Sequence, residues 1–587
     1  MNDEDEIRIV VFICSCGKNI GGIINVAEVA DFAKKIPHVV HAETTESACS
    51  EEFCNIILQR YNEFKFNRVV LASCACCFLD LVCFSGCGCR VKCNEEVFFQ
   101  KLQLNKYLFE FINIRELCSW VHKKEPEKAT EKVKELIKMA IARISLLEPQ
   151  EDVEVKVEPS TTVIGAGISG ISAALNIAKR GFKVYLIEKE RAIGGMLNYQ
   201  YKLYPTNKPS GEILSSLVEQ INKQPNIELL TSAQLKSVKG SFGDFEVTIV
   251  QEDNQMEKSF KTGTIILATG ADEFKPVGMY GYGEHKNVMT LLELENQLKN
   301  GTLEKPKNVI MISCVGALGE KVSYCSRICC SMGIKNAVYL KELYPEVSIK
   351  ILNKGIRVYG VRFEQLYKRA LDLGISFEEY SPTKKPEIEY IENNFRVKFI
   401  DKSDIEKAYD ADLIILSTPL ISPSDSSKLS EILDVPLGSD GFFSEEHINR
   451  RPLDFAIAGI YLCGTSRGPA SIRESIAQAL GAASRATIPL MKGVLTKDRI
   501  VALINERTCR GCGKCVEVCP YNAVKLEEVN LGKFTTKVAK VNEVLCRGCG
   551  TCTLVCCNGS ISIGFFRNEH IYSMIDTLFE REGEVIV

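Results

Sequence analysis

The chain has 587 residues, too many for one hydrophobic core, and a formal net charge of −3. Apolar (45%) and charged (25%) fractions are those of a folded globular protein, and the balanced charge leaves no broad basic field for nucleic acid or an anionic membrane. The start Met-Asn-Asp-Glu-Asp-Glu is acidic where an export signal is basic and then apolar, and no run of about 18 apolar residues reads as a span, so a cytoplasmic location is expected.

In that setting 26 clustered cysteines point to metal ligation before a disulfide framework. Cys463 stands apart and reads as a small packing residue. From the N-terminus, Ile7–Ile13, Arg68–Ser73 and Tyr107–Ile112 read as strands, and Val26–Lys35 and Glu127–Leu147 as helices. Residues 1–150 therefore form a small α/β domain, followed by a charged, proline-bearing linker, Glu148 to Pro159.

Thr161-Thr-Val-Ile-Gly165-Ala-Gly167-Ile-Ser-Gly170 follows a strand and opens a helix. Gly165 permits the tight turn, Gly167 the approach of a pyrophosphate, and Gly170 close packing of the helix. The helix N-terminus offers its amides to the phosphates, and Glu188 is placed for the ribose hydroxyls. Gly194-Gly195, the strand Thr264–Leu267 with Ala268-Thr269-Gly270 behind it, and Gly459–Gly464 leading to a helix from about Ser471 complete a pattern over residues 160 to 490. It resembles the thioredoxin-reductase-like flavoproteins. The resemblance implies FAD, with Lys189, Gly464, Ala470 and Ile472 joining Gly165, Gly167, Gly170, Glu188, Gly194, Gly195, Thr269 and Gly270 around it. On this reading residues 151–304 and 412–490 make the FAD domain, interrupted by a second Rossmann-like domain at 305–411.

Where such flavoproteins carry a second glycine loop for NAD(P)H, the strand Asn308–Ser313 runs into Cys314-Val-Gly316-Ala-Leu-Gly319, then Cys325, Cys329 and Cys330. Four soft ligands from one loop and a helix start suit an iron–sulfur cluster; the alternative keeps NAD(P)H and treats the thiols as packing. Residues 491–587 hold Cys509, Cys512, Cys515 and Cys519-Pro520, spaced C-x2-C-x2-C-x3-C-P, and a repeat at Cys546, Cys549, Cys552 and Cys556, with Cys557 where proline would stand. In two-cluster ferredoxins the fourth cysteine serves the other cluster. Cys509, Cys512, Cys515 and Cys556 are thus assigned to one [4Fe–4S] cluster, and Cys546, Cys549, Cys552 and Cys519 to the second. Zinc would favour two separated C-x2-C knuckles over two complete runs of four.

Taken with Cys14-Ser-Cys16-Gly17, Asn67–Cys74 and Asn113–His122, nearly the whole chain resembles the A-subunits of heterodisulfide reductase (HdrA). The expected fold is α/β and multidomain: a thioredoxin-reductase-like two-dinucleotide-binding flavoprotein with an N-terminal α/β iron–sulfur domain and a C-terminal bacterial-type two-cluster ferredoxin domain. The resemblance implies a cluster on Cys314, Cys325, Cys329 and Cys330, and another on four of Cys14, Cys16, Cys49, Cys74 and Cys118, with the choice of four left open. Trp120 and His122 read as core or supporting groups. Cys76, Cys77, Cys83, Cys87, Cys89 and Cys93, with Cys54, are candidates for an additional cluster or a thiol-rich loop.

Function follows by the same resemblance: an oxidoreductase component of an anaerobic complex that splits electron pairs at FAD by bifurcation or confurcation. Expected partners are other iron–sulfur subunits, ferredoxin, and a hydrogenase or formate dehydrogenase-type donor, with a homodimer inside the larger complex. A non-bifurcating wiring subunit, or a stand-alone NAD(P)H-dependent flavoenzyme, are the alternatives. Two departures matter: Gln200–Val250 contains no cysteine where methanogen members carry an inserted ferredoxin module, and Gly468-Pro469-Ala470 replaces their Gly-Pro-Lys. Arg467 and Arg473 are the nearby cations that could stand in for that lysine.

Overall fold

A computed structural model describes residues 6–74, 93–251, 255–392, 394–497, 499–531 and 534–579. These fall into two compact units, one within residues 1–154 and 496–587, the other within 155–495. Among the described residues no helix is long and apolar enough to cross a membrane.

In the first unit, Ile9–Cys14 is flanked by Val39–Thr45 and Arg68–Ser73, and Phe109–Asn113 extends the sheet, all in parallel. Every residue of Ile9–Cys14 is buried, as befits a parallel strand covered on both faces. Alternate side chains serve opposite cores: Ile9, Val11 and Ile13 meet the helices Val26–Ala33 and Pro126–Leu146, while Val10 and Phe12 meet Glu51–Phe64. The last strand starts at Phe109, later than the expected Tyr107, because Lys106–Leu108 forms a turn capped by the Asn105 side chain, which accepts from Tyr107 N at 3.1 Å. Of the core and supporting roles open to Trp120, the supporting one fits: it is 53% exposed and stacked by the Arg115 guanidinium at 4.7 Å, the group that also reaches Cys16.

The C-terminal half of this unit pairs Ala502–Ile504 with Ile561–Ile563 and forms an antiparallel ribbon from Val524–Leu531 and Phe534–Val541. The helix Asn568–Phe579 packs on Pro126–Leu146. Lys138 Nζ donates to Thr577 O at 3.1 Å there, and the buried Arg143, paired with Glu110, donates to Phe565 O at 2.9 Å.

The second unit contains two parallel five-stranded sheets. The first runs Ile227–Leu230, Lys183–Ile187, Ser160–Ile164, Thr264–Leu267, Ile460–Leu462. Its last strand arrives from far along the chain, so the sheet closes only after the second sheet is built. That second sheet runs Val288–Thr290, Leu413–Leu416, Asn308–Ile312, Ser348–Asn353, Ser376–Glu379. Two of its strands, Val288–Thr290 and Leu413–Leu416, lie outside the span 305–411, because parallel pairing needs the crossover helix Leu291–Asn300 before Asn308. Antiparallel meanders, Ala233–Thr262 and Glu387–Ala411, are appended to the two sheets.

Candidate functional site: a flavin cleft beside cysteine clusters

The carboxyl ends of the first sheet open on a cleft of ≈ 1960 Å³ in the second unit, where ligands sit in such folds. Gly165 (φ +98°) makes the turn out of Ser160–Ile164; a Cβ there would fall on Ala268 O and 2.8 Å from its carbonyl carbon. The helix Ile168–Ala178 then begins with Gly167 as N-cap, and a Cβ on Gly167 would meet no atom within 4 Å. Gly170 packs so closely on Gly165 O that no side chain fits. Gly194 N donates to Ala166 O at 2.8 Å, and Gly195 comes beside Gly167.

Glu188 is 8% exposed at the cleft, its carboxylate accepting from Ala166 N at 2.8 Å and Glu190 N at 3.0 Å. Lys189 lines the cleft and pairs with Asp425 at 3.0 Å. Thr269 Oγ1 is buried with no hydrogen-bond partner, and Gly270 (φ +84°) follows it. Gly464 N donates to Gln478 Oε1 at 2.9 Å; Ala470, 7% exposed, and Ile472 line the far wall. Ser471 caps the helix Ile472–Lys492 through a reciprocal bond with Glu474. Open glycine backbone, two helix N-termini and an orphaned hydroxyl fit a dinucleotide such as FAD, which supplies exchange between electron pairs and single electrons.

Cys314 follows Asn308–Ile312 at φ +64°, and Cys329 and Cys330 open the helix Cys329–Leu343. The four thiols are mutual neighbours. Burial pushes Cys314 up to about 11, reinforced by Cys330 and Cys325 and opposed by Lys354. Burial, then Cys330, Cys325 and Cys314, raises Cys329. A metal centre bound there would hold such thiols as thiolates, displacing their protons. Cys329 also lines the flavin cleft, with its thiol 3.4 Å from Thr418 O. Gly316 (φ +81°) packs on the Phe274 ring; a Cβ would come within 2.5 Å of Phe274 Cε1.

In the first unit, Cys509, Cys512, Cys515, Cys556 and Cys557 line one hollow. Burial raises Cys515, and Cys509, Cys512 and Cys556 add to it. Cys552 is pushed up to about 11 by burial, then by Cys546, with Cys549 and Cys519 also raising it. Backbone amides donate to the sulfurs: Ala539 N to Cys509 at 3.4 Å, Ala523 N to Cys519, Ala502 N to Cys546 and Ser560 N to Cys556, each at 3.3 Å. Such N–H···S bonds favour thiolates and tune a cluster. Both runs read Cys-Arg-Gly-Cys, and the glycines explain themselves: at Gly511 (φ +62°) a Cβ would strike Lys537 O, and at Gly548 (φ +63°) Ile500 O. Among the described residues no group of three or more His, Cys, Asp or Glu is close enough to hold a single metal ion.

At the carboxyl edge of the N-terminal sheet, Cys14 Sγ accepts from Cys16 N and Ala48 N, both at 3.3 Å. Cys14 is raised by burial first, its two amide donors oppose this, and Cys16 and Cys49 add to it. Arg115 reaches Cys16 Sγ at 3.7 Å and also interacts with Cys74. Cys118 is fully buried, in the apolar core that Cys16 packs against, and is pushed up to about 11 by that burial. Cys54 is disulfide-bonded. Cys76, Cys77, Cys83, Cys87 and Cys89 fall outside the described residues, as does the side chain of Cys93. Arg467 is paired with Glu445 at 2.8 Å, whereas Arg473 lines the cleft. Thr418, Thr465 and Arg327 line it too and had no motif to announce them.

The family described as pyridine nucleotide-disulphide oxidoreductase matches residues 159–479, and the 4Fe-4S dicluster domain matches 508–560. The fold and site thus define an oxidoreductase: a thioredoxin-reductase-like flavoprotein joined to a [4Fe–4S] dicluster ferredoxin domain. The A-subunit of the H(2):CoB-CoM heterodisulfide,ferredoxin reductase of Methanothermobacter thermautotrophicus is 34% identical, over 89% of this chain and 91% of that one. An iron-sulfur A-subunit of the CoB--CoM heterodisulfide reductase of Methanopyrus kandleri is 34% identical over 98% of each chain. The A-subunit of the H(2)/formate:CoB-CoM heterodisulfide,ferredoxin reductase of Methanococcus maripaludis is 33% identical over 97% and 98%. The chain belongs to the heterodisulfide reductase A-subunit family, whose members are flavin and iron–sulfur electron-transfer proteins.

Proposed function

We propose that this chain splits or merges electron pairs at its flavin cleft, exchanging single electrons with a low-potential ferredoxin and a higher-potential acceptor. The observation that carries this is Cys329, which belongs to the four-thiol group around Cys314 and also lines the cleft with Thr269 and Ala470. A one-electron carrier in that place takes electrons singly from a pair donor. We assign one cluster to Cys314, Cys325, Cys329 and Cys330, one to Cys14, Cys16, Cys49 and Cys74, and two to the crossed sets Cys509, Cys512, Cys515, Cys556 and Cys546, Cys549, Cys552, Cys519. Arg115, which reaches Cys16 and interacts with Cys74, supports Cys74 as the fourth N-terminal ligand.

The partners on this reading are iron–sulfur subunits, ferredoxin and a hydrogenase or formate dehydrogenase-type donor; the relatives' names mention H(2), formate and ferredoxin. A homodimer within that assembly and a cytoplasmic location go with it. A second reading, a non-bifurcating wiring subunit, is favoured by Ala470, which brings no charge to the cleft. An anaerobic potentiometric titration of the flavin decides between them. Crossed one-electron potentials are expected for pair splitting; well-separated, normally ordered potentials leave the wiring role. NADH and NADPH are expected to bleach neither the flavin nor the clusters directly.

A further inference from the structure

Arg327 sits within the middle cysteine loop, between Cys325 and Cys329, and its amide donates to Cys325 Sγ at 3.3 Å. Its side chain spans to a different part of the chain. Nε donates to Pro469 O at 3.1 Å, a guanidinium nitrogen pairs with Glu474 at 3.0 Å, and the group stands 5.9 Å from the Tyr359 ring centroid. Pro469 and Glu474 bracket Ala470 and Ser471, where the helix Ile472–Lys492 begins at the cleft. The backbone of Arg327 is left-handed, φ +49°, which a residue with a Cβ holds only where its surroundings impose it. With 46% exposure of the arginine side chain, the ion pair is a weak source of stability. It supplies geometry: one residue touches a cysteine ligand candidate through its amide and the flavin-side helix through its side chain.

We propose that Arg327 is a positioning residue that clamps the cysteine loop to the start of the flavin-side helix and so fixes the electron path between flavin and the Cys314–Cys330 cluster. This rests on the assignment of a cluster to those thiols. Each transfer moves one electron from reduced flavin to oxidised cluster; no bond to protein forms or breaks, and the flavin proton passes to solvent.

The test uses the full chain, loaded anaerobically with FAD, iron and sulfide. The flavin is reduced by a light pulse with EDTA as sacrificial electron donor, and the electron's arrival is followed by EPR on freeze-quenched samples, in the signal that Cys325→Ser abolishes. Arg327→Gln is expected to slow transfer about tenfold or more at unchanged FAD and iron content. Arg327→Lys, which keeps the charge toward Glu474, recovers part of the rate. Arg327→Gly tolerates the left-handed backbone and is expected to match Arg327→Gln, which preserves the test if the glutamine variant loses iron. Wild-type transfer in the glycine variant overturns the clamp. A wild-type protein without a Cys325-dependent signal overturns the cluster assignment itself, before any Arg327 variant is compared.

Discussion

Replacing Gly167 by alanine separates the cofactor from the fold. Gly167 has φ −74°, open to any residue, and its added Cβ meets no protein atom within 4 Å. The flavin-free chain is therefore expected to keep its stability to within about 0.5 kcal/mol. The new methyl group projects where the pyrophosphate has to approach the helix N-terminus, and forcing a methyl into a close contact costs about 1–3 kcal/mol. That converts to FAD binding weakened by roughly 5- to 160-fold. Gly165→Ala is the control with the opposite signature. At φ +98°, with Cβ falling on Ala268 O, it destabilises the flavin-free protein by about 2–5 kcal/mol, from the left-handed backbone and the overpacking together. Fluorescence titration of FAD into the deflavinated full chain, with urea unfolding of the same samples, measures both quantities. If Gly167→Ala binds FAD as tightly as the parent, the phosphates do not lie over Gly167 and the cradle is misassigned.

Lys335 and Glu295 form a buried pair at 2.8 Å, with side chains 3% and 0% exposed. Lys335→Met strands the carboxylate and is expected to cost about 3–5 kcal/mol by urea unfolding, part of which Glu295→Gln in the same chain restores; no recovery would show that the charge is not what is lost. Glu293 is held below the usual carboxylate value of 4.5: burial opposes its charge, but the Thr290 amide, the Tyr282 hydroxyl and Lys275 outweigh that. A depressed folded value stabilises above the unfolded one and is lost as pH falls through the folded one. Glu293→Gln should thus be less stable at about pH 7 and show a flatter loss below 4.5; parallel pH–stability curves would dismiss the effect. Cys556→Ser is expected to lose one cluster in iron analysis and EPR, and Cys557→Ser none; a cluster lost from the latter would reassign the ligand.

Legibility followed local chemistry. Arg68–Ser73 and Thr264–Leu267 stand where their apolar runs put them, because central parallel strands are buried almost throughout and carry their own signal. Spacing proposes the crossed cysteine sets by the two-cluster rule, and Cys509, Cys512, Cys515 and Cys556 line one hollow together. Val288–Thr290 was not readable: three residues hold no period, and its place is decided by a partner at Leu413–Leu416. Spacing did not choose four ligands among Cys14, Cys16, Cys49, Cys74 and Cys118, because it does not say whether a thiol lands at a strand's end or in the packing beneath it. Trp120 shows a related limit: an aromatic ring in sequence leaves core and supporting roles open, and here Arg115 stacks on it. Arg327 and Thr418 matter through contacts with distant segments, which no local pattern announces.

The unit drawn from both ends of the chain has a consequence for how the protein is made. Pro126–Leu146 is translated well before the helix that covers it, Asn568–Phe579. Domains fold as units while synthesis continues. The flavin unit, contiguous from 155 to 495, can complete itself while the first 154 residues wait as a half-built piece. Closure then comes after translation of residues 496–579, with Arg143 and Lys138 receiving Phe565 and Thr577. The interval before that closure is when nascent apolar surface most needs chaperone cover, and delivery of iron and sulfur to the C-terminal thiols belongs at its end.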